Sequence, residues 1–418
     1  MPTGSKAFDT PKGNLSARPA ARLRTQPEDL VPAAARFTRY AVRRGLDELS
    51  NRAKAKEQDH LLHFCVHDPR GNAGDTVLYR AVREVLDSAA GPQNWVRRQL
   101  RRTTTIDDVR RMNETAKALV IGGGGLMMSE TSRPTRSGWQ WDISQEDLEQ
   151  IDIPIIVYAV GYNQFRGSAP FRDGFNDHVE ALVAKSAFLG LRNTGSQQRL
   201  QAHLPEALHD RVRFQPCPTT VLRKFHAGMK PDQYCEPRKE LAVNLAFDRQ
   251  EKRFDGMAET RLGRVAEALR WAADSGWKIK LALHGFEDDP AIPYLRKFDV
   301  PFEPVRLNLL DWRQIVDFYA NMPLTIGMRG HAQMIPFGVG NAIISLISHD
   351  KLGFFLDDIG HPEWGIEMAS EDLRDQLVGA IETFWNDPHA RAQQTNAAQE
   401  KLWTTTRENA KLISAHLK

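Results

Sequence analysis

From about residue 60 onward, short runs of β-branched and other apolar residues alternate with longer stretches in which apolar positions recur at a helical period. Runs at 61–66, 118–121, 155–160 and 187–191 read as strands, with a helix over 75–87. A polar stretch broken by two prolines, AGMKPDQYCEP at 227–237, interrupts the pattern. The alternation then resumes with strands at 241–246, 278–283, 324–326 and 342–346 and helices over 256–275, 311–319 and 332–337. Such alternation predicts an α/β protein whose mostly parallel sheets are covered on both faces. Residues 371–418 are helical by period, with a break at Asn386-Asp387-Pro388. The pattern divides the chain into an extension (1–56), two α/β domains (57–230 and 237–370) facing a cleft, and C-terminal helices (371–418) that pack back across the hinge.

Length agrees with that division, since 418 residues exceed one ordinary core. Charge changes the picture more. The net +3 hides an uneven distribution, because residues 1–56 hold 12 Lys+Arg against 5 Asp+Glu and leave the body acidic on balance. An acidic body argues against a nucleic-acid binder. The extension lacks the apolar core of a secretory signal, and no later run approaches the ~20 apolar residues of a membrane span. A cytoplasmic protein is expected. Residues 29–49 form either a helix packed on the body or a basic amphipathic helix on anionic lipid at the inner face of the membrane. The three cysteines, Cys65, Cys217 and Cys235, form no CxxC pair, so a structural zinc is not expected.

Candidate chemistry sits where predicted strands end, the ligand edge of α/β sheets. HDPRGNAGDTVLYRAV (67–82) follows the first strand; Gly71, Asn72 and Gly74 allow a tight turn with exposed amides. Asp75 is placed at the helix N-cap, where it either caps or faces the cleft as an acceptor or base. The sequence is neither GxGxxG nor a P-loop. Gly122 to Gly125, in ALVIGGGGLMMSE, point to backbone approached closely by a ligand or another chain, with Gly123 and Gly124 central. LGLRNTGSQQRL places Arg192 at a strand end and Ser196 at the next helix. In TIGMRGHAQMIPFG, Arg329 and His331 occupy one strand-to-helix turn. Arg329 either binds an anionic ligand or pairs with a carboxylate, and His331 either moves a proton or caps the helix. Lys351, in SHDK, either neutralises a phosphate or is simply solvated. Trp139 and Trp141 either stack on a sugar or fill a loop's small core.

Taken in order, G-N-x-G-D (71–75), V-I-G-G-G-G-L (120–126), L-R-N-x-x-S (191–196), R-G-H (329–331) and S-H-D-K (348–351) resemble the motifs of the polysaccharide pyruvyltransferase family over roughly residues 60–360. The resemblance implies two Rossmann-like domains in a glycosyltransferase-B-like arrangement. It also implies transfer of the pyruvyl group of phosphoenolpyruvate, a co-substrate in place of any cofactor, onto two hydroxyls of a sugar or glycan acceptor, free or lipid-linked. The family's arginine and histidine of the R-x-H motif fall on Arg329 and His331, and its strand-end arginine on Arg192. Gly330 stands where many members carry leucine, and the basic extension lies outside the common core.

The chemistry of the residues is compatible with that reaction. Two arginines clamp a carboxylate and a phosphate, helped by turn amides or a helix N-terminus. His331 as imidazolium protonates the methylene carbon, and Asp75 orients or deprotonates the acceptor hydroxyl. Two other readings use the same fold: a glycosyltransferase with a nucleotide-sugar donor, and a non-catalytic sugar-binding protein.

Overall fold

In the computed structural model, described for residues 60–66, 71–131, 134–226, 229–230 and 234–417, twelve strands form two parallel six-stranded sheets. The extension 1–56, with its amphipathic segment 29–49, lies outside the described residues, as does the start of the first motif, 67–70. The first sheet contains β1 (His60–Cys65), β2 (Trp95–Gln99), β3 (Ala116–Met127), β4 (Ile155–Tyr162), β5 (Phe188–Leu191) and β6 (Val212–Phe214), in the order β2-β1-β3-β4-β5-β6. The second contains β7 (Glu240–Asn244), β8 (Lys278–Leu283), β9 (Glu303–Arg306), β10 (Leu324–Gly327), β11 (Ala342–Ile347) and β12 (Gly365–Glu367), in the order β12-β11-β10-β7-β8-β9. The central strands are buried on both faces, as their continuous apolar runs require.

Both sheets reverse their direction of growth once, between β1 and β3 and between β7 and β10. Crevices beyond the carboxyl ends of strands at such points are the ligand sites of open α/β sheets. In this chain the loops from both points line one cavity.

Six helices matter to that cavity: α1 (Ala73–Ala90), α2 (Thr194–Gln201), α3 (His331–Gly338), α4 (Asp350–Ile359), α5 (Leu373–Asn386) and α6 (Pro388–Ser414). Helix α1 belongs to the first sheet but packs into both halves. Its Leu78, Val82 and Val85 share a core cluster with Met334 and Phe337 of α3, while Val77 and Ala81 share another with Ile315 and Tyr319. At its start, the Ala73 amide donates to the His284 carbonyl at the end of β8, 2.8 Å away. Helix α5 packs on the second half, and α6 returns to α1, where Ala398, Leu402 and Ile413 complete the same core.

Strands β2, β6, β9 and β12 were not foreseen from the pattern. All four are edge strands, short and only partly apolar, so they carry little period-2 signal. β2 and β12 lie at one edge of each sheet and β6 and β9 at the other. Asp75 is not the N-cap of α1: Asn72 takes that place, its Oδ1 accepting from the Gly74 amide at 2.8 Å, and Asp75 lies in the first turn.

Candidate active site

The cavity between the two sheet edges measures about 480 Å³. Each wall is built by strand ends: Asn72 and Asp75 after β1, Arg101 after β2, Gly124 and Gly125 on β3, Asn163 and Phe165 after β4, and Arg192 after β5. Facing them are Asp248, Arg249 and Arg253 after β7, Arg329 and His331 after β10, and Lys351 after β11.

Of the residues expected from the sequence, the structure brings Asn72, Asp75, Gly124, Arg192, Arg329, His331 and Lys351 to this cavity. Gly74, Gly123 and Ser196 are not part of its lining, and each has a packing reason instead. A Cβ at Gly74 would fall 2.4 Å from the Cβ of His331, and its amide is taken by Asn72. Gly123 has φ +74° and lies against Leu78 of α1, where a Cβ would sit 2.6 Å from the Leu78 Cγ. Ser196 is buried; its Oγ accepts from the Tyr162 amide and its own amide donates to Asn193. The indoles of Trp139 and Trp141 are fully buried and donate to His178 and to Thr104, so they are loop core and not a sugar platform.

Arg329 is held by carboxylates. Its Nε lies 3.0 and 3.1 Å from the two oxygens of Asp288, its Nη2 reaches Asp288 and, at 2.9 Å, Asp248, and its amide donates to Asn244 Oδ1. Burial opposes its charge, but the two carboxylates outweigh that and hold the guanidinium more firmly charged than usual. Asp288 itself is fully buried and also accepts from the His284 amide and Asn244 Nδ2. Arg253 pairs with Asp248 and donates to Ser348. Against burial, Arg253 and Arg329 pull the Asp248 carboxyl down to about 2.

Arg192 has no carboxylate in contact, only Asp75 at longer range, and burial lowers its pKa. It is 6% exposed, and its Nε and Nη2 have no hydrogen-bond partner among the described residues. Gly161 makes room for it: a Cβ there would fall 2.3 Å from Arg192 Nε. Lys351 Nζ donates to a neutral amide, Asn163 Oδ1, at 2.9 Å, and Arg249 Nη2 to the sulfur of Met128. Among the described residues, none of these three cations has a carboxylate within 4.0 Å. Burial, with Arg192 and Arg253 beside it, depresses the Lys351 pKa well below its ordinary value.

His331 begins α3 and does not cap it; the N-cap residue is Gly330. Its Nε2 lies 3.8 Å from Cys217 Sγ. Burial, then Arg192 and Lys351, lowers its pKa to about 3, so the free protein holds a neutral imidazole and not the imidazolium expected from the sequence. Asp75 moves the other way: burial raises its carboxyl to about 6, although Arg101 and Lys351 oppose this. One neutral ring and one carboxyl poised near neutrality therefore face a cavity rich in positive charge, an arrangement suited to binding an anion and moving protons beside it.

Sequence reasoning missed Arg101, Asp248, Arg249, Arg253, Asp288, Asn163 and Phe165. Strand-end position, the signal that found Arg192, applies equally to Asp248 and Arg249 and to Asn163 and Phe165; Arg101 was hidden because β2 was not seen.

The profile of the polysaccharide pyruvyl transferase family matches residues 52–340. No curated protein matches the chain. Among solved structures, a putative UDP-N-acetylglucosamine 2-epimerase from Listeria monocytogenes is similar at 9% identity, covering 83% of this chain and 95% of the other with a TM-score of 0.50. The S. aureus MnaA-UDP co-structure is similar at 10% identity, 82% and 95% coverage and a TM-score of 0.46. The first of these likenesses supports two Rossmann-like domains in a glycosyltransferase-B-like arrangement, and it speaks to fold alone. No helix among the described residues is long and apolar enough to cross a membrane.

Proposed function

Because the chain belongs to the polysaccharide pyruvyl transferase family, we propose that it transfers the pyruvyl group of phosphoenolpyruvate onto two hydroxyls of a sugar, forming a cyclic ketal. The observation that carries this reading is the set of three cations, Arg192, Arg249 and Lys351, that line one cavity without a carboxylate partner among the described residues. Phosphoenolpyruvate bears a carboxylate and a phosphate monoester, together about three negative charges near neutral pH. Arg329, fixed by Asp288 and Asp248, adds a guanidinium whose orientation is set before any ligand arrives.

Binding such an anion offsets the charges of Arg192 and Lys351, which help hold His331 neutral. The ring's proton affinity then rises, and His331 becomes the donor to the methylene carbon. That proton makes a methyl group and leaves C2 electron-poor. A sugar hydroxyl adds to C2, releasing its proton to Asp75, and a neighbouring hydroxyl displaces the phosphate, which leaves carrying that hydroxyl's proton. The acceptor is a sugar or glycan with two hydroxyls close enough to close the ring.

Calorimetry tests the donor assignment, using phosphoenolpyruvate with the wild type and Arg192→Met, and inorganic phosphate and UDP-glucose as controls. Saturable binding of phosphoenolpyruvate that Arg192→Met weakens about 100-fold is the expected result. Binding of UDP-glucose without phosphoenolpyruvate would replace this reading with a nucleotide-sugar glycosyltransferase.

A further inference from the structure

The second half sends three cations to the same wall from the segments that follow β7 and β11, and they meet on one ring supplied by the first half. Arg249 Cζ lies 5.0 Å, Arg253 Cζ 5.3 Å and Lys351 Nζ 5.8 Å from the centroid of Phe165, which follows β4 and lines the cavity with them. The His349 ring packs on Phe165 at 4.0 Å. Phe165 is 6% exposed and Arg253 is buried with it, while Arg249 reaches the ring from the exposed side; the attraction of a cation for an aromatic face is strongest where water is excluded.

Three basic groups this close disfavour one another's charge, and Arg253 is among the causes that lower the Lys351 pKa. Only Arg253 makes an ion pair, with Asp248; among the described residues Lys351 and Arg249 have no carboxylate within 4.0 Å. The electron-rich ring face is the group common to all three. Arg249 carries a second sign of being held in place: its backbone has φ +54°, a left-handed conformation that a residue with a side chain adopts at a cost. The loop that delivers Phe165 is fixed to the second half on both sides of the ring. Asn163 accepts from Lys351, Arg166 pairs with Asp350 at 2.6 Å, and Ser168 accepts from Lys252 at 3.2 Å.

We propose that Phe165 is a positioning residue whose aromatic face gathers Arg249, Arg253 and Lys351 into one anion-binding wall, so that the wall exists only where the two halves meet. The proposal rests on the phosphoenolpyruvate reading only for the identity of the anion. A merely space-filling role would be met by any apolar side chain of similar reach; a role of the ring face would not.

The test compares Phe165→Leu with Phe165→Tyr in the full chain, measuring affinity for phosphoenolpyruvate and for inorganic phosphate by calorimetry, with thermal unfolding alongside. Phe165→Leu is expected to weaken both anions about ten-fold, and Phe165→Tyr to stay near wild type. Should Phe165→Leu fail to fold, Phe165→Met makes the same comparison. Leucine or methionine binding as tightly as phenylalanine, or tyrosine failing as badly as leucine, overturns the proposal. A wild type that binds inorganic phosphate and not phosphoenolpyruvate sinks the donor assignment while the phosphate series still decides the role of Phe165. A wild type that binds neither overturns both.

Discussion

The Cα of Gly74 faces His331 so closely that a single added methyl would fall 2.4 Å from the histidine Cβ and 2.5 Å from its Nδ1. The two residues come from opposite halves of the molecule, so the glycine in the first motif exists to admit the histidine of the fourth. Gly74→Ala should therefore displace His331 and reduce transfer by about 100-fold or more, close to the effect of His331→Ala. It should also lower stability by roughly 1–3 kcal/mol, as overpacking does. Turnover and thermal unfolding measured on both variants check this; an active Gly74→Ala protein would show that His331 has room to move.

Arg192 and Gly161 make a similar pair. Arg192 is a buried cation with no carboxylate within 4.0 Å among the described residues, Asp75 acting on it only from farther off, and such a group costs stability while it waits for an anion. Replacing it with methionine should raise the unfolding midpoint and lower anion affinity about 100-fold. Gly161→Ala, whose methyl would lie 2.3 Å from Arg192 Nε, should lose anion affinity without the gain in stability. Calorimetry and thermal scans separate the two outcomes.

Asp75 makes stability depend on pH. Its folded pKa of about 6 lies above the ordinary 3.8, so between those values the folded protein keeps a proton that the unfolded chain has released. Stability contributed by this group is lost as pH rises through that window. Asp75→Asn should thus stabilise the protein by about 3 kcal/mol at pH 8 and by little at pH 4. His331, lowered to about 3 from 6.5, acts with the opposite sign: stability is lost as pH falls through that range, and His331→Gln should flatten the acid limb. Urea unfolding at a series of pH values reads both.

Trp139 and Trp141 test the assignment of the SGWQWD loop to core. With both indoles fully buried, truncating Trp141 to alanine should cost about 3–5 kcal/mol while leaving the affinity of the soluble fraction for phosphoenolpyruvate unchanged. Trp141→Phe should recover much of the stability. A sugar platform would instead show normal stability and weakened acceptor binding.

Much of the fold was legible because the inner parallel strands are built mainly of apolar residues: β1, β4, β8, β10 and β11 fall within two residues of where the pattern places them. The break before α6 at Asn386-Asp387-Pro388 was equally plain. Edge strands escaped because half of each faces solvent or polar neighbours. At the site, strand-end logic found Arg192, Arg329, His331 and Lys351, all of which line the cavity. It could not tell which cations were already paired. That Arg329 is held by Asp288 while Arg192 stands alone depends on contacts across dozens of residues of chain, and no local spacing encodes them. For the same reason, glycines needed for packing, Gly74 and Gly123, looked like glycines that face a ligand.

Helix α6 has a consequence for how the molecule is made. Its Leu402 and Ile413 fill the core that Leu61, Leu78 and Val82 begin, and Asn409 donates to the Phe214 carbonyl at the edge of the first sheet. On the ribosome, the early-made half must therefore wait, with an apolar groove along α1 still uncovered, until nearly all of the second half has emerged. Synthesis order and completion order are therefore reversed.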